Sequence, residues 1–331
     1  MKQTLLILAL LISFTACSNQ GPKTMKLIAG SGNASFTDGK SADMNKPIRF
    51  APYTENSIIF ADIKNHAIRI ATIDGEVTTI VGGPHKAGYQ DGPAKTAKLN
   101  SPHGVAYDKK KDIIYVAEAS NHTIRVITKN AEGGFEVFTL AGNPARAGFM
   151  DGEVDSAMFS SPHAVNVSSD GGVVVADIGN ARIRKIKDGM VSTIAGGSEE
   201  ENEDETTLEA SFKYVMDIVT DGESIYMADA GTHQIRKIIP GKEVTTLKLN
   251  NALNTPHGIA IDKKKNLYIA DMGTNRILKI DPNGNVTAIA GTGKSGHDLL
   301  QLNKPAAVLV HGKYLWIADL NNHQIKAIEI E

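Results

Sequence analysis

One cysteine, Cys17, and one tryptophan are all that 331 residues contain of either type. A single thiol cannot form an intramolecular disulfide, so stability must come from an apolar core, which a chain of this length can supply. After the first 16 residues no run approaches the roughly 20 apolar residues of a membrane-spanning helix. Lysine and arginine total 35 against 37 acidic residues and are scattered, which leaves no nucleic-acid footprint. GxSxG elbows, phosphate-cradling glycine loops, HExxH helices and paired CxxC motifs are absent, and with them the common hydrolase, kinase, metalloprotease and redox signatures. Apolar spacing at i, i+3, i+4 is nowhere sustained, which argues against a helical solenoid or a Rossmann arrangement.

What is present begins with a charged start at Lys2, an apolar run from Leu5 to Ile12, and Phe14, Thr15 and Ala16 before Cys17. Residues 1–16 therefore read as a signal peptide. The segment ending at Cys17 resembles a bacterial lipobox, with Phe14 where leucine is usual, so Cys17 is the expected site of lipidation. Ser18 to Lys23 are small, polar or turn-forming and read as a tether, giving an organisation of 1–16 signal, 17–23 lipidated cysteine and tether, and 24–331 folded domain. The expected location is the membrane-anchored cell envelope, periplasmic or at the cell surface. A second compositional break, Ser198 to Thr207, holds six acidic residues in ten and reads as a solvated loop, with calcium capture as the alternative.

One nine-residue phrase recurs six times, at Ala61 (ADIKNHAIR), Ala117, Ala176, Ala228, Ala270 and Ala318. The spacings, 56, 59, 52, 42 and 48 residues, suit four short strands plus loops. Each phrase lies between two runs of β-formers and so reads as the turn of an antiparallel pair. Upstream stands a Pro-started strand, Pro102-His103-Gly104-Val105-Ala106, echoed at Pro162, Pro256 and Pro305. Downstream stands Val77-Thr78-Thr79-Ile80-Val81-Gly82, echoed at Val137, Val191, Val244 and Val286. Four strands per unit make a propeller blade. The sixth unit lacks its fourth strand, and Met25-Lys26-Leu27-Ile28-Ala29-Gly30 has the missing form. The expectation is an all-β, six-bladed propeller of four-stranded antiparallel blades, closed by an N-terminal strand completing the last blade.

The run from Pro102 to Asp108, with Ile114 to Glu118 and Asn121 to Arg125, resembles the NHL repeat, and the resemblance covers nearly all of Thr24 to Glu331. The fourth unit departs most, with Tyr214-Val215-Met216-Asp217 in place of a Pro-started turn. Directly after the Pro, or its equivalent, stand Ile48, His103, His163, Met216, His257 and Ala306, residues expected to ring the central channel. His103, His163 and His257 could converge on Zn²⁺, which takes imidazole nitrogens. ProHis in this setting resembles the zinc ligands of the peptidyl-hydroxyglycine amidating lyases, whose catalytic tyrosine and arginine find no motif here. The competing reading makes these histidines turn residues bonded to backbone. His66, His122, His233 and His323 share one turn position and read as structural, and Asp62, Asp177, Asp229, Asp271 and Asp319 as turn-capping carboxylates.

Phe36, Tyr89 and Phe149 precede Asp-Gly turns on long connections, where they read as ligand-stacking platforms or as packing between neighbouring blades. Asp217 is the one acid proposed for the inner ring, the feature a lactonase-like site would use. The reading adopted is a binding or interaction propeller with a protein, peptide or glycan ligand on its loop-bearing face, rather than an enzyme. No cofactor is required by it, Zn and Ca being the candidates, and the alternative is a metal-dependent lyase or hydrolase.

Overall fold

In a computed structural model the protein is a closed ring of six sheets, described for residues 21–198 and 204–330. The leader, Cys17 and residues 199–203 of the acidic run lie outside the described residues. Blade 1 runs from the inner strand Pro47–Thr54 through Ser57–Asp62 and Ala67–Thr72 to the outer strand Val77–Val81. Blades 2 to 5 repeat this order, with two-residue edge segments, Gly92–Pro93 and Gly152–Glu153, added outside blades 2 and 3.

Blade 6 takes three strands from the C-terminal end and its outer strand from Lys26–Ala29, which pairs antiparallel with Gln324–Glu329 through Lys26 opposite Ala327. The closure read from the repeat count is thus present. Its equivalence extends to one atom's clearance. A Cβ on Gly30 would meet the His323 carbonyl oxygen at 2.3 Å, as one on Gly82 would meet that of His66 at 2.0 Å, and both glycines have φ above +90°. In every blade but the fourth, where Leu247-Lys248 follow the strand, the outer strand therefore ends flat against the turn of its own blade, at a position only glycine fits.

The second strands are the most buried segments, because both of their faces pack between blades. Ile58, Ile59, Phe60 and Ala61 are fully inaccessible, and so are the repeated alanines from Ala61 to Ala318. Such strands read as continuous apolar runs rather than strict alternation. The core is divided into six clusters, one per seam; one joins Ile59 and Ile68 of blade 1 to Val116 and Ile127 of blade 2.

A buried polar clamp is repeated through the blades. The carboxylate ending the second strand accepts a backbone N–H from the approach to its blade's inner strand in every blade, for example Asn45 to Asp62 at 2.8 Å and Asn100 to Glu118 at 2.7 Å. Seven residues on, a buried cation pairs with it: Arg69 with Asp62 at 2.8 Å, Arg125 with Glu118 at 2.5 Å, Arg184 with Asp177 at 2.9 Å, Lys326 with Asp319 at 2.8 Å. Blade 5 has Leu278 there, and its Asp271 accepts the Thr274 hydroxyl instead. These acids are structural, since each is held by several donors.

The long connections complete the clamp. Asp38 and Asp151 reach the same guanidinium groups, at 2.9 and 2.5 Å, and accept the backbone N–H of Thr79 and Thr193. Asp91 does the same in blade 2. Asp204, at the end of the acidic run, repeats the arrangement in blade 4, bridging Arg236 at 2.9 Å and the Thr246 N–H at 2.9 Å. That end of the run is therefore not free solvated loop, because its carboxylate neutralises a buried arginine.

Neighbouring blades are joined by a further device. The turn after each second strand ends in a left-handed residue, with φ of 51° at His66 and 53° at His323. Its side chain accepts a backbone N–H of the next blade: Ser101 to His66 Nδ1 at 3.1 Å, Ser161 to His122 at 3.0 Å, Thr255 to His233 at 2.9 Å, Lys46 to His323 at 3.1 Å, and Lys304 to Asn275 Oδ1 at 2.8 Å. Histidine and asparagine recur because they tolerate this conformation and offer an acceptor. At the seam of blades 3 and 4 the position is Ala181, and the Tyr214 N–H turns to Asp229 of its own blade at 2.9 Å. His122→Ala should lower stability by about 1–2 kcal/mol, the lost bond plus the cost of alanine at positive φ, while His122→Asn should stay near wild type in chemical denaturation.

Candidate functional site

Each of the six inner strands carries a β-bulge at its start. In blades 2 to 6 the bulged residue follows the Pro or its equivalent: His103, His163, Met216, His257 and Ala306. In blade 1 the bulge falls one residue later, between Ile48 and Phe50, so the residue displaced toward the axis is Arg49 and not Ile48. The ring expected from sequence is corrected at that position. A bulge re-aims a side chain, here across the channel.

Arg49, with φ of 46°, is buried, and its guanidinium spans the ring to the opposite blade, where Nε lies 3.3 Å from Asp217 Oδ1. Nη1 donates to the Ala306 carbonyl of blade 6 at 3.0 Å, and Nη2 donates to the Met216 carbonyl of blade 4. Asp217 accepts the N–H of Ile218 at 2.9 Å and, through its second oxygen, that of Ile259 in blade 5 at 3.0 Å. One ion pair thereby fastens blades 1, 4, 5 and 6 across the axis. Burial pushes the Asp217 carboxyl up and the Arg49 guanidinium down, and the charge of each opposes the shift of the other.

The three ProHis histidines do meet beside this pair. The rings of His103 and His163 lie 4.0 Å apart and those of His103 and His257 6.3 Å apart, centroid to centroid. Each Nδ1 faces a backbone carbonyl: His103 that of His163 at 3.2 Å, His163 that of Ser161 at 2.8 Å, His257 that of Ala306 at 2.8 Å. Carbonyls only accept, so all three Nδ1 atoms carry the proton. His257 and Arg49 converge on the same Ala306 oxygen.

With each Nδ1–H turned to a carbonyl, Nε2 is the nitrogen each ring would offer to a metal. Among the described residues no three His, Cys, Asp or Glu side chains are grouped to hold a metal. A buried guanidinium 3.3 Å from His257 Nδ1 sets a positive charge beside the cluster, which opposes a dication there. Burial, with the same charge added to it, holds His163 down at about 4 and His103 and His257 well below the ordinary histidine value.

Toward the other end of the channel the inner strands enclose a cavity of about 240 Å³, with Arg49 and Asp217 in its lining. Its walls are mainly apolar, from Val105, Val165, Ile259 and Val308, and Asn166 and Tyr107 add polar groups. Tyr107 donates its hydroxyl to Asp112 at 2.7 Å and stands edge-on to Tyr53.

Phe36, Tyr89 and Phe149 each cover an arginine of the blade they precede, with 4.7 Å from Arg69, 4.8 Å from Arg125 and 4.8 Å from Arg184 to the ring centroids. The packing is thus within a blade rather than between neighbours, and one face of each aromatic is already occupied by a cation. Of the residues expected to serve a site, the structure brings Asp217, His103, His163 and His257 together and leaves the three aromatics on the outer connections. Arg49 was missed. Its signal was a charged residue two positions after the Pro, where blades 2, 3, 5 and 6 carry Gly or Ala and blade 4 carries its partner Asp217.

Lowered histidines give a pH dependence. His66, His122 and His323 are shifted down, chiefly by burial, and their Nδ1 atoms accept N–H bonds that a proton would abolish. With His103, His163 and His257 they bind protons more weakly folded than unfolded. Their contribution is complete above about pH 6.5, the unfolded value, and is lost as pH falls toward the folded values. Urea midpoints should decline from pH 7 to pH 5, and changing His66, His122 and His323 together to Asn should flatten the decline.

The fold and the repeated clamp define a six-bladed propeller of the NHL kind. The sequence profile described as "SMP-30/Gluconolactonase/LRE-like region" matches residues 50–294, and the chain belongs to that family. It is 28% identical over 336 residues to NHL repeat-containing protein 2 of Bos taurus, covering 84% of this chain and 46% of that protein, so it spans about half of that relative. Its shape is similar to that of a protein of unknown function from Bacteroides thetaiotaomicron, with a TM-score of 0.65 at 19% identity over 93% of this chain and 76% of the other. It is also similar to an auxiliary nutrient binding protein from the same organism, with a TM-score of 0.64 at 12% identity over 92% and 75%. Likeness at these identities carries the fold alone.

Proposed function

We propose that the protein is a binding propeller of the bacterial cell envelope, anchored by a lipid on Cys17, whose outer-to-inner connections receive a protein or peptide. The observation that carries this reading is the placement of exposed apolar side chains. Of ten large ones among the described residues, seven lie on those connections: Tyr89, Phe149, Met150, Leu208, Tyr214, Leu299 and Leu300. Apolar groups exposed together on loops of a rigid scaffold mark interaction surfaces. Arg49 and Asp217 on the axis are, by contrast, paired with one another. The nutrient-binding neighbour is in keeping with a ligand-binding role.

A photo-crosslinking residue at Leu208, Tyr214 or Leu300 should give discrete adducts in cells, and one at Met190, on the hairpin between the third and fourth strands of blade 3, should not. Adducts from Met190 alone would refute the assigned surface. A glycan ligand would give no protein adduct and would appear instead as retention on an envelope polysaccharide. Anchoring predicts that Cys17→Ser moves the protein out of the membrane fraction. The alternative, a metal-dependent lyase using His103, His163 and His257, requires stoichiometric zinc on elemental analysis that disappears when all three are changed to Ala.

A further inference from the structure

The two ends of the ring differ. At one end lie the inner-strand starts and the turns between second and third strands, such as Ile63–Asn65; at the other lie the hairpins joining first to second and third to fourth strands. Because Lys26–Ala29 is the outer strand of blade 6, its N-terminal side sits at the hairpin end. Lys23 is fixed there: its backbone N–H donates to the Ile289 carbonyl at 2.9 Å and its ammonium to the Glu329 carbonyl at 3.0 Å. It shares a cavity of about 300 Å³ with Lys264, on the first hairpin of blade 5.

We infer that the hairpin end is apposed to the anionic headgroup surface of the membrane and that the turn end faces away from it; this rests on the acylation of Cys17 proposed above. From Cys17 to Lys23 the chain advances six residues, which reach no more than about 20 Å when fully extended. Inner strands of six to eight residues span roughly 20–26 Å from hairpin end to turn end. The tether is therefore too short to carry the anchor round the molecule. Two lysine triplets sit on hairpins of opposite blades, Lys109 to Lys111 in blade 2 and Lys263 to Lys265 in blade 5, all exposed. Lys111 and Lys265 are paired with Asp108 and Asp221, and the other four have no carboxylate partner among the described residues. Lysines held near an anionic leaflet attract it by about 1 kcal/mol each, and two sets on opposite blades favour an end-on posture over a tilted one.

The test uses the acylated full chain, in which Cys17 offers no thiol to label. Lys110→Cys and Ser120→Cys place one fluorophore at the hairpin end and the turn end of the same blade. After reconstitution in vesicles of phosphatidylethanolamine and phosphatidylglycerol bearing a headgroup quencher, quenching at position 110 should exceed that at 120 at least threefold. A Lys109→Gln, Lys263→Gln, Lys264→Gln variant should narrow the difference. Co-flotation with equal or reversed quenching overturns the orientation and leaves the anchor intact. Failure of the wild-type chain to co-float, matching Cys17→Ser, overturns the anchor and the orientation with it.

Discussion

Replacing Arg49 with methionine should lower stability by about 3–5 kcal/mol, the cost of leaving one partner of a buried ion pair without the other. The loss has a geometric source. Asp217 keeps the N–H groups of Ile218 and Ile259, but its charge stays in the channel uncompensated, and the carbonyls of Ala306 and Met216 lose a donor. Asp217→Leu should cost as much, since it strands the guanidinium and also the Ile259 N–H. The double variant Arg49→Met, Asp217→Leu should cost less than the sum of the two, because neither charge remains. Equilibrium urea unfolding of the four proteins forms a double-mutant cycle, and additive losses would show that the cross-axis pair is uncoupled. The His163 imidazole offers a second readout: without the guanidinium beside it, its NMR titration should move up from about 4 in the Arg49→Met protein.

Deleting residues 24–30 should be still more damaging than either single variant, while deleting 18–23 should leave the melting temperature nearly unchanged. The first deletion removes the outer strand of blade 6 together with Met25, Ile28 and Ala29, all buried, and exposes the edge of Gln324–Glu329. Truncating one buried side chain of this size costs about 2–5 kcal/mol, and domains have only about 5–15 kcal/mol in total. The shortened chain should therefore unfold at markedly lower temperature and aggregate through its unpaired strand. Among the described residues, the second deletion takes away the bonds of the exposed Lys23 to Ile289 and Glu329. Equal tolerance of both deletions in differential scanning calorimetry would contradict ring closure.

The sequence by itself determined the number of blades, the order of strands within each and the origin of the closing strand. These follow from short-range patterns: a turn phrase every 42 to 59 residues, β-formers around it, and a fourth strand missing at one end but present at the other. It also marked the repeated histidines and carboxylates as structural, because a residue recurring at one position of six turns answers to the turn. The tertiary structure alone decided what those residues touch. The Nδ1 of His66 accepts a hydrogen bond from the Ser101 backbone N–H, 35 residues away, and Asp38 and Asp62 meet on one arginine. Contacts of this kind depend on how a blade sits against the next and on how a connection returns over it, which no local pattern encodes. The axis shows the same limit. Arg49 and Asp217 are 168 positions apart, and only closure of the ring sets blade 1 opposite blade 4. A one-residue shift of a bulge then turns Arg49 rather than Ile48 into the channel and makes the three histidines neighbours of a buried cation.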